Sequence, residues 1–134
     1  MTGLLDTSVV IGLGRLAPDD LPDRPLISTI TLAELSLGPL VARDAAARAA
    51  RQATLQLAEA SFDPLPFDRE AARAFARVAA DLRASGRRTT ARTFDALIAA
   101  TAIANDLPLF TANAKELVGI GGLDVREVEQ DATT

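Results

Sequence analysis

The sequence predicts an α/β fold of three layers, in which helices flank a short parallel sheet on both faces. Short apolar segments alternate along the chain with longer amphipathic or Ala-rich segments. This alternation is typical of parallel sheets, because strands buried on both faces are apolar throughout and the crossovers between them are helices. A length of 134 residues without internal repeats fits one domain over residues 1–134.

Five apolar segments, each bounded by turn residues, predict strands or extended pieces. They lie at residues 3–6, 26–28, 62–67, 107–111 and 123–128. A loop rich in Pro and Asp at 17–25 separates the first two. Pro108 is tolerated because it stands at the start of its strand. Polar and apolar residues alternate in the last segment, which indicates an edge strand.

Helices are predicted between these segments from Ala content, hydrophobic spacing and end signals. They lie at residues 7–15, 29–39, 41–60, 68–85, 93–105 and 113–120. The pair Gly38-Pro39 predicts the end of the second helix. Asp68 predicts the N-cap of the fourth, and Gly86 follows its end. The segment 93–105 is so apolar that we expect a buried helix.

The composition excludes several kinds of active site. The chain contains no Cys and no His, which excludes disulfides, zinc–thiolate sites, thiol nucleophiles and imidazole catalysis. Any chemistry must therefore use carboxylates, hydroxyls, amides and Arg, besides a single Lys.

Charge is unevenly distributed along the chain. The formal net charge is −4, which argues against a protein that is basic overall. Four arginines nevertheless stand between Asp81 and Asp95 without an intervening acid: Arg83, Arg87, Arg88 and Arg92. These arginines predict a local positive patch on an acidic protein, although cations at a helix end also suit the helix dipole.

Targeting signals are absent from the sequence. No basic region precedes the first apolar run, and no stretch of about 18 apolar residues occurs. We therefore expect no signal peptide, no membrane span and a cytoplasmic protein.

Polar side chains follow the predicted strands at their carboxyl ends, where parallel α/β folds place their binding crevice. Asp6 follows the first strand, and Thr111 and Asn113 follow the strand at 107–111. Glu34 lies about one turn into the helix after the second strand, and Asp95 lies in the first turn of the apolar helix.

Three of these carboxylates, those of Asp6, Glu34 and Asp95, stand in apolar surroundings. Buried carboxylates are costly unless they are paired or bind a metal, and converging carboxylates raise one another's pKa unless a cation lies between them. Hard oxygen ligands suit Mg²⁺ or Mn²⁺, which can activate water and stabilise a phosphoryl transition state. The hydroxyls of Thr7 and Ser8 would orient Asp6 or metal-bound waters.

Each residue also has an ordinary structural explanation. Asp6 could cap the first helix, and Asn113 could cap the helix after it. Thr31 and Glu34 have the spacing of a capping box, and Asp95 suits a helix dipole. Because the three carboxylates are expected at the same edge of the sheet, one metal site explains them better than four independent capping or helix-dipole roles do.

Four segments carry a resemblance to a known family: "LLDTSVVI", "TLAELSLG", "TFDALIAATAIANDLPLFTAN" and "GIGGLDV". Together they resemble a PIN domain, and more specifically a VapC-type toxin ribonuclease of a toxin–antitoxin pair. The resemblance implies a parallel sheet between helices and an acidic site that binds Mg²⁺ or Mn²⁺ and cleaves single-stranded RNA. It also implies a homodimer and a VapB-like antitoxin that blocks the active site. With RNA as the substrate, we expect Arg87, Arg88 and Arg92 to contact its phosphate backbone.

Carried over residue by residue, the family's first three acids are Asp6, Glu34 and Asp95. Asp6 and Asp95 would hold the principal metal ion, and Glu34 would complete the cluster. The fourth position is Asn113, where many relatives have Asp, so a second metal site would be weaker. Thr111 matches the hydroxyl of this segment. Whether Glu116, one turn further on, compensates for Asn113 is open.

Other functions are less consistent with the pattern. Thr111 and Lys115 superficially fit a receiver domain, which needs paired acids after its first strand and an Asp after its third. A haloacid-dehalogenase-type phosphatase needs D-x-D, whereas "DTS" lacks the second Asp. A PIN-like module that binds RNA or an antitoxin without cutting is supported only by Asn113.

Overall fold

A four-stranded sheet lies at the centre of the computed structural model, which describes residues 1–87 and 92–129. The strands are β1 (Thr2–Leu5), β2 (Arg24–Leu26), β3 (Leu109–Thr111) and β4 (Val125–Glu127). Their spatial order is β2-β1-β3-β4, and every pairing is parallel. The predicted parallel α/β fold is confirmed.

The strand order reverses direction between β1 and β3. The chain passes from β1 to β2 on one side, and later returns to β3 on the other side of β1. Leu5 is in register with Phe110, and the N–H of Asp6 donates to the Phe110 carbonyl at 2.8 Å. The residues that follow β1 and end β3 therefore meet at the switch point, where α/β sheets bind ligands.

The predicted extended segment at 62–67 contributes only one bridge to the sheet. The N–H of Leu65 donates to the Ile27 carbonyl, and the Leu65 carbonyl accepts from the N–H of Thr29, both at 2.9 Å. Its neighbours Pro64 and Pro66 lack the N–H that a longer ladder would need. The segment is therefore extended but too short to form a strand.

Five helices cover the sheet within the described residues. They are α1 (Thr7–Ile11), α2 (Thr29–Leu40), α3 (Ala45–Ser61), α4 (Arg69–Ala84) and α5 (Thr93–Ala104). The Asp68 carboxylate caps α4 by accepting from the N–H of Ala71 at 3.0 Å, and Gly86 follows at φ 80°, as predicted. Asp44 caps α3 in the same way, so this helix begins later than its predicted start at residue 41.

Three of the predicted helices differ from those in the structure. The first helix stops at Ile11, and the chain continues as a 3₁₀ turn at Leu13–Arg15, because glycines in this stretch are poor helix formers. Helix α2 continues through Gly38 and Pro39 to Leu40, since proline has a helical φ and removes only one hydrogen bond near a helix end. The last predicted helix is a short 3₁₀ turn, Ala114–Leu117.

The strands bury alternate side chains on the two faces of the sheet. Leu4 and Leu109 pack with α4 and α5, whereas Leu5 and Phe110 pack with α1 and with parts of α2 and α3. Helix α5 is deeply buried, with Ile98 and several alanines inaccessible to solvent, as its apolar sequence predicted. No helix within the described ranges combines the length and apolarity that crossing a bilayer demands.

Candidate active site

The Asp6 carboxylate is held by hydroxyl groups from two segments at the end of the sheet. Its Oδ2 accepts hydrogen bonds from Ser8 Oγ and from Thr111 Oγ1, each at 2.8 Å, and the residue is only 6% exposed. Asp6 occupies the N-cap position of α1, but its side chain makes no capping hydrogen bond. The capping interpretation of Asp6 is therefore wrong.

Backbone groups of the loop after β3 set the direction of these two hydroxyls. Thr111 Oγ1 accepts from the N–H of Asn113 at 3.0 Å, and Ser8 Oγ accepts from the N–H of Ala112 at 3.2 Å. Each hydroxyl thus accepts from the backbone and donates its one proton to Asp6. The Asn113 side chain is exposed and makes no capping bond, so its predicted alternative role as a helix cap is also wrong.

Glu34 reaches the site from α2 and contacts Thr7. Its Oε1 accepts from Thr7 Oγ1 at 2.7 Å, so Thr7 orients Glu34 and not Asp6. The N-cap of α2 is Ser28, whose Oγ accepts from the N–H of Thr31 at 3.1 Å. The predicted capping box of Thr31 and Glu34 is therefore wrong.

The electrostatics of Glu34 and Asp95 show that the predicted acids converge. Burial raises the pKa of Glu34, the hydrogen bond from Thr7 opposes this, and the charges of Asp6 and Asp95 raise it further. Burial and the charge of Asp6 raise the pKa of Asp95, while the charge of Arg92 opposes the shift. The three carboxylates thus repel one another across one site.

A fourth carboxylate, that of Glu116, also faces this site. Its charge contributes to the raised pKa of Asp95, and it forms an ion pair with Arg92. Glu116 stands in the 3₁₀ turn that follows Asn113. Its position three residues after Asn113 is the sequence feature that indicates a place near the site. Asn113 itself contributes only an exposed, neutral side chain.

The described arginines of the predicted RNA-binding patch contact the Glu116 turn. Arg87 donates to the carbonyls of Glu116 at 2.7 Å and Lys115 at 3.1 Å, and Arg92 pairs with the Glu116 carboxylate. Arg88 lies outside the described residues. The contact of these arginines with RNA stays a prediction, and a guanidinium group has five N–H donors for more than one partner.

The donors of the site fit a hard divalent cation in kind. Carboxylate oxygens are the ligands that Mg²⁺ and Mn²⁺ prefer. The charges of Asp6, Glu34 and Asp95 repel one another, and a cation would relieve that repulsion. Within the described ranges, no group of three or more Asp, Glu, His or Cys side chains is already spaced to enclose a metal, so the carboxylates would have to turn toward a bound ion.

An apolar groove runs along α1 and α3 and ends at the acidic site. Two adjoining cavities of about 290 and 300 Å³ form it, and both are lined by Ile11 and Thr54. The cavity nearer the site also reaches Thr7 and Glu34, with Arg51 on its α3 side. The groove thus combines an apolar floor with a negative end.

The chain is similar to several known proteins. A family model described as "PIN domain" matches residues 4–117. Ribonuclease VapC8 of Mycobacterium tuberculosis (strain ATCC 25618 / H37Rv) is 47% identical over 103 residues, which cover 75% of this chain and 89% of that protein. Ribonuclease VapC5 of the same strain is 45% identical over 112 residues, which cover 81% of each protein.

Solved structures with the same fold come from toxin–antitoxin complexes. The structure of VapBC-5, a member of the VapBC family of toxin–antitoxin systems from Mycobacterium tuberculosis, aligns with a TM-score of 0.81 at 40% identity. That alignment covers 95% of this chain and 98% of the other. DNA-bound VapBC from Salmonella typhimurium aligns with a TM-score of 0.76 at 25% identity, covering 95% and 98%.

Proposed function

This chain belongs to the PIN domain family, and from that membership we propose that it is a VapC-type endoribonuclease toxin. In this proposal Asp6 and Asp95 hold a Mg²⁺ or Mn²⁺ ion, Glu34 completes the acidic cluster, and a VapB-like antitoxin neutralises the activity. The relatives named as VapC ribonucleases support the ribonuclease activity. The similarity to VapBC-5 supports the antitoxin partner.

The convergence of Asp6, Glu34 and Asp95 at the switch point carries the metal site of this proposal. A protein gains nothing in stability from a site whose burial and negative charge raise the pKa of Glu34 and of Asp95. A cation removes this cost by balancing their charge. The two hydroxyls on Asp6 hold one of its oxygens in place, as outer groups do for metal ligands in general.

The residues of the site have separate roles in phosphodiester hydrolysis. When bound, Mg²⁺ or Mn²⁺ supplies Lewis-acid stabilisation of the charge that develops on the phosphoryl group. The exposed amide of Asn113 can donate a hydrogen bond to a phosphate oxygen without adding negative charge. Hydrolysis joins a water oxygen to phosphorus, breaks a phosphorus–oxygen bond of the RNA chain and transfers a proton to the leaving oxygen. That proton comes from solvent, and solvent takes up the proton that the attacking water loses, because the chain has no His.

The apolar groove favours an antitoxin helix as the partner, with a charge opposite to that of the acidic site. Exposed apolar side chains line it, among them Ile11 at 58% and Leu57 at 61% exposed. An amphipathic antitoxin helix could cover such a surface, and a basic residue at its end could meet Glu34. Leu40 and Val41, 81% and 59% exposed, lie apart from the groove lining and are available for the proposed homodimer.

The proposal is tested by cleavage of RNA with the purified chain, free of antitoxin, in Mg²⁺, in Mn²⁺ and in EDTA. Asp6→Asn should lose at least about 100-fold in rate, which is the scale of losing a metal-site group. Asp106→Asn is the matched control, because Asp106 is exposed and precedes β3 at the opposite end of the sheet. It should cleave like the wild type.

The alternative is a PIN-like module that binds RNA or an antitoxin and does not cut, which the neutral Asn113 favours. Wild type and Asp6→Asn would then be equally inert on transfer, ribosomal and messenger RNA. Cleavage that persists in EDTA, or equally in Asp6→Asn, would contradict the metal-dependent mechanism.

A further inference from the structure

We propose that Ser28, Thr31 and Thr7 form a one-way chain of hydroxyl hydrogen bonds that sets the direction of the Glu34 carboxylate, with Thr31 as a positioning residue of the cation site. We refer to these three residues as the hydroxyl chain. The inference rests on the proposed function, because it assigns Glu34 to a cation site.

The hydroxyl chain joins Thr31 to Glu34 through two short contacts, and Ser28 stands behind Thr31 at a longer distance. The Oγ1 atoms of Thr7 and Thr31 are 3.0 Å apart, and Ser28 Oγ lies 3.5 Å from Thr31 Oγ1. Thr7 Oγ1 lies 2.7 Å from Glu34 Oε1. Ser28 and Thr31 are fully buried, and Thr7 is 7% exposed, so water does not compete for the contacts among the three hydroxyl groups.

Counting protons gives the hydroxyl chain its direction. Each hydroxyl has one proton to donate, and an ionised Glu34 can only accept, so Thr7 donates to Glu34. The contact between Thr7 and Thr31 then requires the proton of Thr31. Ser28 Oγ accepts from the N–H of Thr31, which leaves its own proton for Thr31 Oγ1. Every proton therefore points toward Glu34.

This direction has a consequence for the carboxylate. Hydrogen bonds in series polarise one another, so Thr31 strengthens the donation from Thr7 although it does not touch Glu34. Oε1 is held by that bond, which leaves Oε2 to face a cation. Thr31 and Glu34 stand three residues apart in α2, so they share a helix face. The backbone of α2 therefore fixes Thr31 and Glu34 relative to each other.

The test is the dissociation constant of Mn²⁺, measured by electron paramagnetic resonance on the full chain without RNA. Thr31→Val keeps the shape of the side chain and removes the hydroxyl, and it should weaken binding about tenfold, as loss of a group behind a metal ligand does. Thr31→Ser should restore binding to within about twofold of wild type. Thr101→Val is the matched control, because Thr101 is equally buried and its hydroxyl donates to the Leu97 carbonyl within α5.

A double variant tests whether Thr31 acts through Thr7. Thr7→Val combined with Thr31→Val should bind Mn²⁺ as Thr7→Val alone does, because residues in one hydrogen-bond chain are not additive. Additive losses would overturn the hydroxyl chain, as would a Thr31→Val protein that binds like wild type.

If Thr31→Val does not fold, Ser28→Ala takes its place in the test. We expect Ser28→Ala to weaken Mn²⁺ binding roughly threefold. An affinity equal to that of wild type within experimental error would overturn the proposal.

The same measurement separates this inference from the proposed function. A wild-type chain that does not bind Mn²⁺ would contradict the cation site and the hydroxyl chain together. If wild type and Thr31→Val bind Mn²⁺ equally well, the hydroxyl chain alone is overturned and the cation site stands.

Discussion

Thr111 donates its hydroxyl proton to Asp6 Oδ2 across 2.8 Å, although the two residues are 105 positions apart in the chain. They meet because β1 and β3 are parallel neighbours that end at the same edge of the sheet. Since Thr111 is fully buried, water cannot replace this bond. The orientation of Asp6 therefore depends on the pairing of the first and third strands.

Thr111→Val should lower the metal-dependent rate of RNA cleavage by about 10- to 100-fold. Valine fills the same space but leaves Asp6 Oδ2 with Ser8 as its donor and removes the acceptor of the Asn113 N–H. Rates and melting temperature should be measured on the same samples. Thr101→Val removes an equally buried hydroxyl that donates to the Leu97 carbonyl instead of Asp6, and it should keep the wild-type rate. A wild-type rate in Thr111→Val would show that Asp6 needs no orienting bond.

Asp95→Asn should raise the melting temperature by a few degrees at neutral pH in the absence of divalent cations. Because the pKa of Asp95 is raised in the folded state, the folded protein holds the Asp95 proton more tightly than the unfolded chain does. This stabilisation is fully present below the ordinary pKa of 3.8 and is lost as the pH rises through the folded-state pKa. The amide avoids this loss, so the gain should shrink as the pH falls toward 3.8. Thermal unfolding between pH 3 and 8 checks this.

Asp63→Asn is the control for that series, because Asp63 is exposed and Asp95 is not. It should leave the melting temperature unchanged at every pH. A gain from Asp95→Asn that is equally large in acid would mean that repulsion between carboxylates is not its cause.

Mn²⁺ should make wild type more stable than Asp95→Asn, the reverse of the order expected without divalent cations. A ligand that binds only the folded state stabilises it by about 2.7 kcal/mol at one hundred times its dissociation constant. Wild type should therefore melt at a higher temperature in saturating Mn²⁺, whereas Asp95→Asn, which lacks a proposed ligand, should respond weakly. Equal responses of the two proteins would exclude Asp95 from the cation site.

Gly3→Ala should destabilise the fold by about 1–3 kcal/mol, the usual cost of overpacking a core. A Cβ at residue 3 would lie 2.5 Å from Cε1 of Phe110, on the strand that also carries Thr111. Gly14→Ala is the control, because a Cβ there meets nothing within 4 Å, and it should be neutral or slightly stabilising. Urea unfolding measures both, and equal stability of the two variants would contradict the steric argument.

Arg92→Gln distinguishes a contact with RNA from a role in holding Glu116. The binding of single-stranded RNA should be measured against salt concentration in an Asp6→Asn background, which prevents cleavage. If Arg92 contacts a phosphate, the slope of log affinity against log salt falls by about 0.7. Arg73→Gln, an exposed arginine paired with Glu70 on α4, should keep the slope. An unchanged slope in Arg92→Gln would leave Arg92 only its ion pair with Glu116.

Local sequence determined those features whose physics acts over a few residues. Apolar segments located the strands and the buried helix α5, and the cap at Asp68 depends on an N–H only three positions away. Local signals failed where a distant contact competed with them. Asp6 and Glu34 stand in cap-like patterns, yet hydroxyls from other segments bind both carboxylates.

The tertiary structure alone decided which side chains meet. Strand order places Thr111 beside Asp6, and the packing of α1 on α2 places Thr7 beside Glu34. The arginine-rich stretch shows the same limit, because Arg87 binds carbonyls of a turn 28 and 29 positions away. Residue types and spacing therefore predicted the acids of the site, whereas their partners depended on chain topology, which patterns of neighbouring residues do not encode.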